Sequence, residues 1–155
     1  PRSMPMFANL TIVSQDGQAV LLREGTGLHI FNSVVADEGA STCWDIDDDT
    51  TYDFNADGVV GEGHVYDGNL FSCATLAQED SSGPSVAQIE ALLSSNTNTA
   101  SAGGGSLSGY CNGSVESGLT PVAIDDAFFD ATDYVGACAS AETDWTLNWA
   151  FKPSE

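Results

Sequence analysis

"FANLTIV", beginning at Phe7, and "IFNSVVA", beginning at Ile30, carry one pattern twice, 23 residues apart. An apolar or aromatic entry leads to Asn9 in the first copy and Asn32 in the second. Thr11, Ile12 and Val13 then fall on Val34, Val35 and Ala36. At the same offset "AVLLRE", from Ala19, falls on "TCWDID", from Thr42, so two strand-like segments recur in order. Units this short, β-branched and punctuated by Gly and Asp, cannot bury their apolar side alone and must stack on their neighbours. The expected fold is all-β, a solenoid of parallel β-helix coils. Asn9 would stack on Asn32 at one turn, where Asn accepts left-handed backbone and bonds the coil above. A third copy, "VYDGNLF" from Val65, follows the second by 35 residues. The excess falls in an acidic stretch, which therefore reads as an insertion at 45–63 within coils spanning 1–76. A β-sandwich also shows short strands, at irregular spacing; the kept order and spacing favour the solenoid.

That insertion holds Asp45, Asp47, Asp48, Asp49, Asp53, Asp57 and Glu62, with no Lys or Arg among them. Asp53, Asn55, Asp57 and Gly58 match the first half of a calcium loop, with oxygen donors at alternate positions and a Gly for the turn. His64 stands where the closing acid belongs. Two readings fit: an irregular calcium site of Asp53, Asn55 and Asp57, completed by Asp49 or Glu62, and a solvated acidic surface. The chain as a whole has 23 acidic residues against 3 basic ones, a formal charge of −20. Nucleic acid and anionic membrane are excluded as partners, because phosphate binding needs clustered cations. His29 and His64 belong to no nucleophile motif and read as surface residues. Asp47 with Asp49, or Asp125 with Asp126, would act as glycosidase acids only across a cleft.

Four cysteines, Cys43, Cys73, Cys111 and Cys138, form no CxxC pair and lie at no zinc spacing. In an acidic, lysine-poor chain rich in Ser, Thr, Gly and Asn, an even count implies disulfides and an exported protein, secreted or held at a cell surface. Of three connectivities the sequence-local one, Cys43 with Cys73 and Cys111 with Cys138, is expected. No apolar run is long enough to span a bilayer. "SSGPSVAQIEALLSS" places Val86, Ile89, Leu92 and Leu93 at helical spacing, a short helix over 82–95 capped by Ser82 or Ser85 and laid on the solenoid flank. From 96 to 118 the composition turns to Asn, Thr, Ser and Gly, a long flexible surface loop. "NLT" at Asn9 and "NGS" at Asn112 fit the glycosylation pattern, a frequent chance match that is assigned no role.

The final stretch, "FFDATDYVGACASAETDWTLNWAFKP" from Phe128, resembles the closing segment of a family of large secreted bacterial surface or lipoprotein-like proteins. "NLTIV", "AVLLREGTG" and "FNSVV" resemble that family's final coils. Relatives tend to carry an aromatic residue after the GA of "GACAS"; here Cys138 stands close by. The resemblance implies a right-handed parallel β-helix and a terminal role for 119–155. Phe128, Phe129, Tyr134, Trp145, Trp149 and Phe151 would cap the last coil, whose apolar side chains and strand edges need cover. A sugar-stacking platform is the other reading of those rings. The chain is expected to be a single domain, a non-catalytic scaffold, adhesive or assembly module. Its partners would be preceding coils of a longer polypeptide, a stacked copy of itself, or carbohydrate. The second expectation is a fragment of a calcium-dependent, polysaccharide-lyase-like enzyme, against which stands the scarcity of cations, Arg23 being alone within the coils.

Overall fold

In the computed structural model, residues 2–39, 41–54, 62–100, 103 and 105–147 are described. Among them ten strands, β1 (Met6–Ala8), β2 (Thr11–Ser14), β3 (Gln18–Leu22), β4 (Leu28–Phe31), β5 (Val34–Asp37), β6 (Thr42–Ile46), β7 (His64–Asp67), β8 (Leu70–Ser72), β9 (Thr75–Gln78) and β10 (Thr99–Ala100), build three sheets. Every pairing between these strands is parallel. The orders are β1-β4-β7, β2-β5-β8-β10 and β3-β6-β9, so from β1 to β9 each strand lies beside the one three places on, and β10 follows β8. β1–β3, β4–β6 and β7–β9 thus form three stacked tiers, and β10 begins a fourth. The chain is all-β in character, with two short α-helices, α1 (Asp49–Tyr52) and α2 (Val86–Leu93).

The repeat is real and its register differs in part from the sequence expectation. Ile30 lies over Phe7 and Val34 over Thr11, the 23-residue offset. In the third sheet Trp44 lies over Val20, an offset of 24 rather than 23. A one-residue slip in a strand exchanges its two faces; pairing Trp44 with Val20 keeps the largest ring inside, where it is 0% exposed. The third copy is shifted likewise, with Tyr66 rather than Val65 over Ile30. Asp45 and Ile46 belong to β6, so the insertion opens after them.

The interior is a set of columns. Phe7, Ile30 and Tyr66 form one, Ile12, Val35 and Phe71 a second, and Val20, Trp44 and Ala77 a third. Trp44 meets Tyr66 at 4.9 Å and Phe71 at 5.2 Å between ring centroids, tilted in the first pair and edge-to-face in the second, and the edge-to-face arrangement is one that aromatic quadrupoles favour. The corner between the first two sheets repeats too. Asn9, Asn32 and Gly68 occupy it with φ of 52°, 48° and 68°, a left-handed turn that Asn and Gly tolerate. The neighbouring position carries a ladder. Ser33 Oγ accepts from Leu10 N–H, Asn69 Oδ1 from Ser33 N–H, and Asn98 Oδ1 from Asn69 N–H.

The far end is closed by α2. Ser85 is its N-cap, and the Gln88 carboxamide reaches back to accept from the Ser85 N–H at 2.9 Å. Ile89 and Leu93, both 0% exposed, join the core cluster of Trp44, Tyr66 and Phe71. In chain order α2 stands where a fourth strand of the first sheet would, so it covers the last tier instead of a flank. Residues 96–100 are ordered against that tier as β10 and the top of the corner ladder, and do not belong to a flexible loop.

Candidate functional site

The acidic stretch was the strongest candidate, and its described members divide: Asp48 serves the backbone, Asp45 and Asp47 meet side chains, and Asp49 and Glu62 are exposed. Asp48 is the N-cap of α1: its Oδ1 accepts from Thr51 N–H at 2.7 Å and Thr50 Oγ at 2.5 Å, its Oδ2 from Thr51 Oγ at 2.9 Å and Glu24 N–H at 3.3 Å. Burial opposes the charge on Asp48, but these donors outweigh it and hold its pKa below the ordinary carboxylate value. Asp49 opens α1 and is exposed; Asp53 ends it as the C-cap. Arg2 closes that end, donating to the carbonyls of Thr50, Asp53 and Phe54. Glu62 is exposed beside the start of β7. Asn55 and Asp57 lie outside the described residues.

A second acidic group lies on the outer side of the third sheet. Asp45 is 1% exposed; its Oδ2 accepts from Gln18 and Gln78 at 3.2 and 3.1 Å, while Oδ1 is buried with no hydrogen-bond partner. Burial first, then the charges of Asp80 and Asp47, push its pKa up. Asp47 takes the Arg23 guanidinium at 2.5 Å. Asp80 lies within hydrogen-bond reach of Asp47, and that contact raises its pKa. Among the described residues, three donor groups that could surround a metal converge at Cys111, Cys138 and Asp144. Two of those atoms are disulfide sulfurs, so that grouping holds no metal.

His64 is buried and structural, contrary to its reading as a surface residue. Its Nε2–H donates to the Thr51 carbonyl at 2.9 Å and its Nδ1 accepts from the Tyr66 hydroxyl at 3.1 Å. Burial lowers its pKa, so the ring stays neutral. Phe54 fills the space beside Gly63 and Gly27, where a Cβ would meet its ring at 2.3 Å and 3.0 Å. Sequence reasoning missed this role because a histidine beside carboxylates looks solvated until its strand parity is known.

The C-terminal half takes a form the sequence did not suggest. Cys43–Cys73 and Cys111–Cys138 are both formed, the sequence-local pairing, and they fit an oxidising surrounding. No described helix is long and apolar enough to cross a membrane. The segment 119–138 runs as a strap along the second sheet. Asn32 Nδ2 donates to Val122 O and its Oδ1 accepts from Val122 N–H; Asn9 Nδ2 donates to Tyr134 O at 2.9 Å. Val135 is buried against Val34, Ala36 and Leu70 on the sheet's outer face. The strap thus passes from the middle tiers back to tier 1. Phe128, 85% exposed, and Phe129 pair with each other at 5.2 Å; Tyr134 is half-buried and Trp145 54% exposed. None of these four belongs to the core clusters, and α2 has taken the place the cap was expected to fill. Trp149 and Phe151 lie outside the described residues.

The loop before the strap is organised by Glu116. Its carboxylate is 0% exposed and accepts from Ser106 N–H, Ser106 Oγ and Gly113 N–H at 2.8, 2.8 and 3.0 Å. Burial opposes the charge, the donors outweigh it, and the pKa falls below the ordinary value. Asn112 is equally committed, donating to Val135 O at 2.7 Å. Both asparagines of the glycosylation patterns, Asn9 and Asn112, are therefore structural ties. Two clefts flank these parts: one of about 220 Å³ lined by Val13, Asp37, Ser72 and Ser106, the other of about 280 Å³ between the limbs of the strap, lined by Asn32, Val122, Phe129 and Asp130. In comparison with known proteins, the chain matches no family model, no curated sequence and no solved structure.

Proposed function

We propose that the chain is a non-catalytic structural module of an exported surface protein, built as a right-handed parallel β-helix and serving as scaffold, adhesin or assembly element. One observation carries this reading: among the described residues, many of the buried polar groups that could do chemistry are engaged in holding the fold together. Asp48 caps a helix, Glu116 gathers a loop, His64 bridges α1 to the core, and Asn9, Asn32 and Asn69 tie corner to corner or to the strap. Catalysis would instead need a donor, a base and a cation facing one cleft. Export is supported by the two disulfides, and the bacterial surface family by the motifs at the C-terminal end.

The test has two arms. Proteolytic shaving of intact cells that make the native polypeptide should remove an epitope placed in this chain, without lysis. Purified protein given anionic and neutral polysaccharides with calcium should release no new reducing or unsaturated ends. Turnover that disappears in Asp47→Asn or Asp80→Asn would overturn the reading in favour of a lyase-like enzyme. An epitope reached only after lysis would overturn the surface assignment.

A further inference from the structure

We propose that the cleft between the limbs of the strap is a docking site for a basic segment of another protein, which it takes by an arginine side chain. The cleft has a volume of about 280 Å³. Pro121, Val122 and Ile124 line it from one limb, Phe129, Asp130 and Thr132 from the other, so largely apolar walls carry a carboxylate. Phe128 extends this surface: it stands edge-to-face with Phe129 at 5.2 Å and is 85% exposed. Neither ring belongs to a core cluster, so packing of the core does not account for the pair. A concave, mostly apolar site with a few polar groups and solvent-facing rings at its edge is a contact feature.

Hydrogen-bonding capacity chooses the guest. The side-chain donors at the wall are spent: Asn32 is tied to Val122 through both its oxygen and its nitrogen, and Thr132 Oγ donates to Tyr134 O at 3.1 Å. The Asp130 carboxylate is exposed and offers acceptors only. A sugar hydroxyl needs donors and acceptors together, whereas a guanidinium carries donors alone and asks for what is left. Its planar, weakly hydrated head also stacks on a phenyl face, and its methylene stem packs on apolar residues such as Pro121 and Ile124.

Charge points the same way. Asp125, Asp126, Asp130 and Asp133 all fall in the strap, which has no Lys or Arg. Of the chain's three basic residues, Arg2 is held at the end of α1 and Arg23 by Asp47. Lys152 lies outside the described residues, and one lysine would leave three of these four carboxylates unbalanced. The complement is a cationic guest from outside the chain, drawn in by the field and held by ring and carboxylate together.

The test titrates the intact, disulfide-bonded chain, isotope-labelled for amide NMR, at physiological ionic strength, where diffuse attraction is screened. The probe is a short blocked peptide with a pair of arginines among glycines; the control carries citrulline, the uncharged isostere, in their place. Amide shifts should be confined to the strap around the cleft, and the citrulline peptide should cause none. Phe128→Ala should weaken binding about fivefold by removing the ring contact, and Asp130→Asn about threefold. Both side chains are exposed, so the spectrum outside the strap should not change. Glu79→Gln, which removes the same charge from an exposed position after β9, should leave the affinity as it was. The proposal is overturned by shifts spread over the acidic surface, by equal weakening in Glu79→Gln and Asp130→Asn, or by an affinity indifferent to Phe128→Ala. It is equally overturned by a neutral oligosaccharide that moves the same amides where the peptide does not, which would make the rings a sugar platform. None of those outcomes bears on the non-catalytic scaffold reading, which the polysaccharide and shaving arms decide.

Discussion

Asp45 and Glu116 are both buried carboxylates, and their surroundings give them opposite thermodynamic signs. Glu116 accepts three hydrogen bonds and its folded pKa is depressed. It therefore stabilises the fold above the unfolded carboxylate pKa, and that contribution is lost as pH falls through the lower folded value. Glu116→Gln should cost about 2 kcal/mol at neutral pH, since it exchanges charge-assisted bonds for weaker ones and turns a donor toward other donors; the deficit should shrink in acid, as urea titrations at several pH values would show. Asp45 has one oxygen without a partner and a raised pKa. Its stability contribution is intact below the unfolded pKa and declines as pH rises through the folded one. Asp45→Asn should therefore stabilise by about 1 kcal/mol at neutral pH and be neutral in acid. The same titrations decide it: a substitution that destabilises at neutral pH would mean that the carboxylate is bound by something that needs its charge.

At the scale of elements, the corner ladder and α2 do the work that a long sheet does elsewhere. Asn69 receives the N–H of Ser33, donates to the Ile30 carbonyl at 2.9 Å, and meets Asn98 above. Asn69→Ala should cost about 2 to 3 kcal/mol, because it leaves a buried N–H and a carbonyl unserved, whereas Leu10→Ala, at the end of the ladder, should lose packing alone; thermal unfolding of the two variants separates these effects. Ile89→Ala in α2 should cost about 2 to 5 kcal/mol, as truncation of a fully buried residue does, and should expose the amides of β7–β9 to exchange before those of β1–β3. These elements also show what the sequence could disclose. The recurrence of Asn9 and Asn32 with β-branched followers was visible, because left-handed corners and inward columns each restrict residue type. Register was visible only to within one residue, since a turn that gains a residue leaves the apolar pattern intact while moving every facing pair. The helix was visible from spacing, but not its place at the end of the stack, because an amphipathic pattern says that one face is buried and not against what. The capping role of Asp48 was not legible for a related reason: a carboxylate that caps a turn and one that awaits a cation look alike until the donors around it are placed. The strap had no signal at all in its own residues, which are mostly exposed or half-buried; its anchors are the corner asparagines and Cys138.

The whole molecule is strongly acidic around a core that Ile89 and Leu93 of α2 help to close. With 23 acidic residues and 3 basic ones, the compact state bears self-repulsion that unfolding relieves, and most of it acts between groups exposed to solvent, where mobile ions screen it. Added sodium chloride should therefore raise the unfolding temperature by several degrees and level off once the screening length is shorter than the spacing of neighbouring carboxylates. Calcium at matched ionic strength should raise it further, because neighbouring carboxylates such as Asp47 and Asp80 offer a divalent cation the oxygen ligands it prefers. Scanning calorimetry in the two salts makes the comparison. Coincident curves would mean that the acidic residues act only as a diffuse field, and a calcium increment surviving Asp80→Asn would place the ion elsewhere on the acidic surface.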